Sequence, residues 1–188
     1  MKYSGETLGY GQSSEEERMY IYSVVVDSEP ELVLELGTME GGGTTYAIAQ
    51  GLTHNNHGKL HTFEIDDNYY SKAEPKFRNN EFVECYKKDF LDDISTREDN
   101  SVDMIMFDGV SMPEWSEELN RKVLLGCYRL LKNGGDLIIH DFGDVAEIRI
   151  DTSNSKVNTI QDYLEENYEF INRIMTTTGL YHFRKVGT

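Results

Sequence analysis

The stretch from Glu31 to Thr45 constrains the fold of this chain more than any other. An apolar run, Leu32-Val33-Leu34-Glu35-Leu36, enters a loop with glycines at positions 37, 41, 42 and 43, and Thr44-Thr45 then opens an Ala-containing segment. Apolar residues of this kind suit a buried strand, and glycines adopt positive φ and let a ligand approach bare backbone. A helix that starts just past such a loop offers unpaired N–H groups to that ligand. The order predicts strand, glycine loop and helix, the layout of a nucleotide site. The alternative, that the glycines only make a sharp turn, does not account for four of them in so short a span.

A chain of 188 residues carries one α/β domain with a full core, taken here as residues 1–188 with 1–12 as a flexible arm. The net charge of −16 would repel phosphates over most of the surface, so the chain is not expected to bind nucleic acid or an anionic membrane. Cys85 and Cys127 stand apart, outside any metal-type pair, and read as reduced core thiols. No apolar run approaches the roughly 20 residues needed to span a bilayer, and Met1 to Glu6 lack a signal-type apolar region. A soluble, cytoplasmic protein is expected. Whether it forms a homo-oligomer is left open.

In chain order, Ser13 or Ser14 caps a helix whose first turn holds Glu15, Glu16 and Glu17 against the helix dipole, with Met19, Tyr20, Tyr22 and Val26 as its buried side. Pro30 separates it from the first strand. The helix after the glycine loop is expected to reach about Gly51, and Thr53 to Gly58 to form a polar turn. Lys59 to Ile65 is a second strand, which makes a βαβ unit with parallel strands. A helix from about Asn68, shortened or kinked at Pro75, leads to a third strand, Phe82 to Tyr86. Val102 to Phe107 is a fourth strand, buried on both faces.

Glu117 to Leu131 is then a helix, with Leu119, Val123, Leu124 and Leu131 toward the core and Asn133-Gly134-Gly135 as its stop. Leu137-Ile138-Ile139 is the fifth strand, with His140-Asp141 at its carboxyl end. A helix from about Thr159 to Asn167 precedes two strand-like runs, Tyr168 to Thr176 and Leu180 to Lys185, joined as an antiparallel hairpin through Thr178-Gly179.

Ligands of open α/β sheets sit at the carboxyl ends of the strands, which selects the glycine loop, Glu64, Asp89, Asp108 and His140-Asp141. Glu64 is placed to accept from both hydroxyls of a ribose. A dinucleotide fingerprint spaces its glycines as GxGxxG, whereas here the spacing is Glu35-x-Gly37-x-x-x-Gly41 with Glu40 nearby. Two carboxylates beside a pyrophosphate are unfavourable, while beside a cationic sulfonium they are tolerated or helpful. The loop therefore favours S-adenosyl-L-methionine.

These residues resemble class I S-adenosylmethionine-dependent methyltransferases. Leu32 to Thr45, with its E-L-G-T-x-x-G core, is similar to their first motif, and Thr62 to Asp66 to the ribose-binding second. Lys88-Asp89-Phe90 resembles the adenine-side motif, Val102 to Gly109 the fourth, and Leu130 to Asp141 the helix, glycine turn and fifth strand. The resemblance implies a Rossmann-like, doubly wound, mostly parallel seven-stranded sheet with an antiparallel C-terminal edge hairpin. It also implies cofactor contacts from Glu35, Gly37, Thr38, Gly41, Gly43, Thr44, Glu64, Ile65, Asp89, Phe90 and Asp108.

Within that superfamily the chain is most similar to small-molecule O-methyltransferases of the catechol and caffeoyl-CoA type and to sugar and natural-product relatives. An Asp after the fourth strand, Asp108, and the pair His140-Asp141 after the fifth carry this likeness. In those relatives the matching positions hold a divalent cation, so Asp108, His140 and Asp141 become metal ligands by resemblance. Mg²⁺ prefers oxygen, and His140 would replace a usual carboxylate, which makes Mn²⁺ or another transition ion a little more plausible. The chain departs from the relatives at Val110-Ser111-Met112-Pro113-Glu114, where a basic residue usually follows. A metal lowers the acceptor pKa, or His140 takes the proton, or the chemistry is absent, with His140 and Asp108 as the catalytic candidates.

Other readings stay beside these. Asp108 could end a plain turn, His140 could be a hydrogen-bonded supporting residue, Asp89 could cap the turn into Leu91, and Trp115 could simply pack. Two further functions are weighed: a cofactor-binding partner protein without turnover, and a nicotinamide-dependent oxidoreductase. Tyr3 and Tyr10 in the arm, with Tyr20 and Tyr22, are candidates to cover a small-molecule acceptor.

Overall fold

The computed structural model of the chain describes residues 6–9, 13–108, 117–140, 161–176 and 179–187. Among the described residues, helices and strands alternate as far as β6, which β7 follows directly. They are α1 (Glu15–Ser28), β1 (Leu32–Leu36), α2 (Thr44–Asn55), β2 (Lys59–Glu64), α3 (Asp67–Phe77), β3 (Val83–Lys87) and α4 (Phe90–Ile94), followed by β4 (Val102–Phe107), α5 (Glu117–Leu130), β5 (Leu131–His140), α6 (Gln161–Asn167), β6 (Tyr168–Ile174) and β7 (Leu180–Lys185). The seven strands form one sheet in the order β3-β2-β1-β4-β5-β7-β6. Strands β1 to β5 pair in parallel, and β7 lies antiparallel between β5 and β6. This is the doubly wound, mostly parallel sheet with an antiparallel C-terminal edge that the sequence predicts.

Alternate residues of the central strands feed two cores. Val33, Met104, Met106 and Ile138 pack with Ile21 and Val25 of α1, Ile48 and Leu52 of α2 and Phe77 of α3. Leu34, Ile105, Phe107, Leu137 and Ile139 pack on the other face with Phe90 of α4, Val123 and Leu124 of α5 and Leu164 of α6. With both faces covered, β1 and β4 read as continuous apolar runs. The order reverses at β1 and β4, which opens a crevice above their carboxyl ends.

Several boundaries differ from expectation. Helix α2 continues through Thr53, His54 and Asn55, and Asn56, at φ 51, caps it in the left-handed region. Pro75 lies within the last turn of α3, which runs on to Phe77. The Asn133-Gly134-Gly135 run is part of β5, not a helix stop: the register to β4 shifts between Val102 and Met104, and Gly134 takes φ 78 there. The buried residues of α1 are Glu17, Arg18, Ile21 and Val25. Tyr20, Tyr22 and Val26 are half-buried and Met19 is exposed, because the inward face carries a carboxylate and a guanidinium that find partners inside. Thr159, Thr178 and the arm tyrosines Tyr3 and Tyr10 lie outside the described residues. No helix among the described residues is long and apolar enough to cross a membrane.

Candidate functional site

The glycine loop turns sharply at Gly37 (φ 92), Met39 (φ 47) and Gly41 (φ 72). The Gly37 and Thr38 N–H groups both donate to the Phe63 carbonyl, at 3.0 and 3.2 Å, so the end of β2 fixes the loop's entry. Gly41 lies so close to α3 that a Cβ there would stand 2.6 Å from Phe77 Cε2. Gly43 is the N-cap of α2 and brings no capping side chain. The Leu8 N–H donates to the Gly42 carbonyl at 3.2 Å, so this part of the arm lies on the loop.

The two loop glutamates part ways. Glu40 turns outward, and its carboxylate pairs with Lys72 of α3 at 2.7 Å. Glu35 is fully buried beneath the loop and accepts from the hydroxyls of Thr44, Thr45 and Thr62, each at 2.7 Å. Burial pushes its carboxyl up to about 7, against the three hydroxyl donors, and the Asp108 charge adds to the rise. Any influence of Glu35 on a ligand passes through Thr44 and Thr45.

Glu64 closes β2 and is buried, yet its carboxylate lies at the crevice: Oε2 accepts the Met39 N–H and Oε1 the Asp66 N–H, both at 2.8 Å. Ile65 follows with 66% of its surface exposed, an apolar face beside the acid. Asp89 takes the capping role: its side chain accepts the Leu91 N–H at 2.8 Å and starts α4. Phe90 is buried edge-on against Phe63, with ring centroids 5.4 Å apart.

Asp108 directly follows β4, its N–H held by the Leu36 carbonyl of β1 at 3.0 Å. Its Oδ1 meets His140 Nδ1 at 2.8 Å, and its Oδ2 accepts from the Thr44 hydroxyl at 3.2 Å. His140, buried at the end of β5, reaches Glu17 of α1 through Nε2, 3.4 Å from Oε2. Glu17 also accepts the Ser14 N–H, at 2.6 Å, and the Thr176 hydroxyl. Burial opposes charge on Glu17, but the bonds from His140, Thr176 and Ser14 and the attraction of the His140 ring prevail and hold its carboxyl at about 2. A hydrogen-bonded line thus runs Glu17–His140–Asp108–Thr44–Glu35 under the crevice.

Asp108 and His140 are brought together as the sequence expects, but each is turned to the other. Among the described residues no group of three or more His, Cys, Asp or Glu side chains converges on a point that would hold a cation. Asp141 lies outside the described residues. The described donors therefore do not by themselves fit a divalent cation.

Sequence reasoning missed Glu17 and Thr62. The Ser14-x-x-Glu17 spacing is a capping box, and the structure shows both of its bonds, but nothing local in the sequence announces a partner as distant as His140. Thr62 alternates inward on β2, a position its strand period would have allowed.

A glycine loop, a strand-end glutamate tied to it and polar side chains at the β4 and β5 ends define a doubly wound protein whose candidate site lies over the carboxyl edge of its sheet. The chain belongs to a methyltransferase-domain family, whose profile matches residues 34–142. Its fold is similar to that of the O-methyltransferase TomG from Streptomyces achromogenes, involved in tomaymycin synthesis and solved with S-adenosylmethionine. The TM-score there is 0.70 at 16% identity, over 93% of this chain and 82% of that one. An O-methyltransferase from Bacillus cereus, in complex with S-adenosylhomocysteine, gives 0.69 at 19% identity over 95% and 84%. The N-methyltransferase NodS from Bradyrhizobium japonicum WM9 gives 0.69 at 16% over 92% and 96%. No curated protein matches the chain at a significant level.

Proposed function

We propose that this chain, acting as a single domain, transfers a methyl group from S-adenosyl-L-methionine to an oxygen of a small-molecule acceptor. The observation that carries the cofactor half is the bond from Met39 N–H to Glu64, which sets a carboxylate beside a loop of bare backbone at the crevice. Glu64 takes the ribose hydroxyls, Ile65 and Phe90 border the adenine, and Gly37, Thr38, Gly41, Gly43 and Thr44, with Asp108 just after β4, form the cradle for the methionine part. Asp89 shapes the adenine side as the cap of α4. Glu35 acts from below through its threonines.

The acceptor half rests on the Asp108–His140 pair. A neutral amine attacks with its own lone pair, whereas a hydroxyl must lose a proton as it attacks, and a carboxylate paired with an imidazole is suited to receive it. The acceptor oxygen forms a bond to the methyl carbon as the carbon–sulfur bond breaks in line. The bonding electrons pass to sulfur, which leaves as neutral S-adenosylhomocysteine, and the hydroxyl proton passes to the Asp108 carboxylate, which the His140 ring holds in place. The protein's share is alignment and proton acceptance. The committed ring nitrogens of His140 favour this cation-free route over the alternative in which Asp108, His140 and Asp141 hold Mg²⁺ or Mn²⁺.

The test is incubation with labelled S-adenosyl-L-methionine and a panel of catechols, sugars, phenolic acids and primary amines, with Mg²⁺, with Mn²⁺ and in excess chelator. Transfer to a hydroxylated acceptor that persists in chelator is the expected result. Transfer only with added cation restores the metal reading. Binding without transfer to any member of the panel points to a partner protein without turnover. Tight binding of a nicotinamide dinucleotide with none of S-adenosyl-L-methionine would overturn the whole assignment.

A further inference from the structure

Helix α1 enters the site through one side chain. Glu17 is fully buried in a turn that exposes Glu15 and Glu16, and three groups from three segments converge on its carboxylate. The Ser14 N–H and His140 Nε2 meet Oε2, at 2.6 and 3.4 Å, and the Thr176 hydroxyl, which itself accepts the Gly179 N–H at 3.1 Å, donates to Oε1. Docking of α1 does not require this carboxylate. Ile21 and Val25 pack into the core one and two turns further on, and the Tyr20 hydroxyl holds His182 Nδ1 of β7 at 2.8 Å. A residue needed only for packing would be apolar there, since burying a carboxylate is costly unless its partners compensate.

The partner that matters is the ring. An imidazole bonded at one nitrogen still pivots and changes tautomer; bonded at both, it is fixed in plane and in proton placement. Fixing His140 fixes Asp108, whose second oxygen reaches Thr44, the residue that follows the glycine loop. We propose that Glu17 is a positioning residue of this site: through His140 it holds the Asp108 carboxylate aimed at the ligand seated on the glycine loop. The inference rests on the reading that S-adenosyl-L-methionine and its product occupy that loop. It makes α1, outside the region matched to the methyltransferase family, part of the working site.

The experiment is a double-mutant cycle on the full chain with Glu17→Gln and Asp108→Asn. The affinity for S-adenosylhomocysteine is read by calorimetry, and the imidazole ¹⁵N and Asp108 carboxyl ¹³C resonances by NMR on the ligand-free protein. Glu17→Gln keeps shape and one acceptor oxygen, so it is expected to fold, with a lowered melting point from the lost carboxylate, and binding is read well below that point. It should weaken binding on the order of tenfold, and the double variant should bind no more weakly than Asp108→Asn alone, because both changes cut one line. Losses that multiply, or parent-like affinity in Glu17→Gln, overturn the proposal. If the parent itself fails to bind S-adenosylhomocysteine, the cofactor reading falls and the NMR arm decides alone. Displaced His140 ¹⁵N and Asp108 ¹³C resonances in Glu17→Gln uphold the line, and unmoved ones overturn it.

Discussion

Glu64 and Met39 are joined across the crevice by a 2.8 Å hydrogen bond from the Met39 backbone N–H to the Glu64 carboxylate, and Met39 holds positive φ at that point. One side chain at the end of β2 thus shapes the glycine loop, and it is the group proposed above to take the ribose hydroxyls. Glu64→Ala is predicted to lose about 2 kcal/mol of binding free energy for S-adenosylhomocysteine, roughly a thirtyfold rise in Kd. Calorimetry checks it, and an unchanged Kd would remove Glu64 from the site.

Glu35 makes stability depend on pH. In the folded chain its carboxyl is pushed up from 4.5 to about 7, so between those values the folded state keeps a proton that the unfolded state releases. Its contribution is therefore full below pH 4.5, is lost as pH rises through 7 and is level above that. Relative to Glu35→Gln, the parent should lose about 3 kcal/mol of unfolding free energy across this window, as urea titrations from pH 5.5 to 8 would show in part. Glu17, held at about 2, acts in the opposite sense and below the window: its contribution is lost as pH falls from 4.5 through 2.

Gly41 has both a backbone and a steric reason to be glycine. It holds φ 72, and an added Cβ would meet Phe77 Cε2 at 2.6 Å, so Gly41→Ala should push the loop off α3. The expected result is a melting point lowered in line with about 1–3 kcal/mol and weaker S-adenosylhomocysteine binding. A variant that melts and binds like the parent would show that the loop adapts.

Gly51 marks where α1 crosses α2. A Cβ there would stand 2.7 Å from Val25 Cγ1 and 2.8 Å from Val25 Cβ, too near the backbone for a rotamer change to relieve. Gly51→Ala should therefore cost about 1–3 kcal/mol in urea denaturation even though alanine favours helix. A stabilised variant would mean that the α1–α2 packing yields freely.

What the sequence announced was local in origin. The apolar runs of β1 and β4 and the four clustered glycines mark themselves by composition and order, and with them Gly37, Gly41, Thr44, Glu64 and Asp108 fall at the crevice. The start of β5 was hidden, because Asn133-Gly134-Gly135 carries a helix-stop signature that the chain spends on a bulge instead. The inner face of α1 was hidden for another reason: Glu17 and Arg18 look solvated until distant partners replace their water. Glu17 and His140 are 123 residues apart, and no periodicity reports such a pairing.

The placement of β7 between β5 and β6 has a consequence for how the site is assembled in time. Strand β5 bears His140 at its tip, and Leu180 of β7 is the residue registered against it. Until Leu180 to Lys185 have been synthesised and threaded into that gap, β5 and β6 each lack their shared neighbour. A nascent chain halted ahead of Leu180 would carry its glycine loop beside a β5 whose His140 end has no strand yet registered against it.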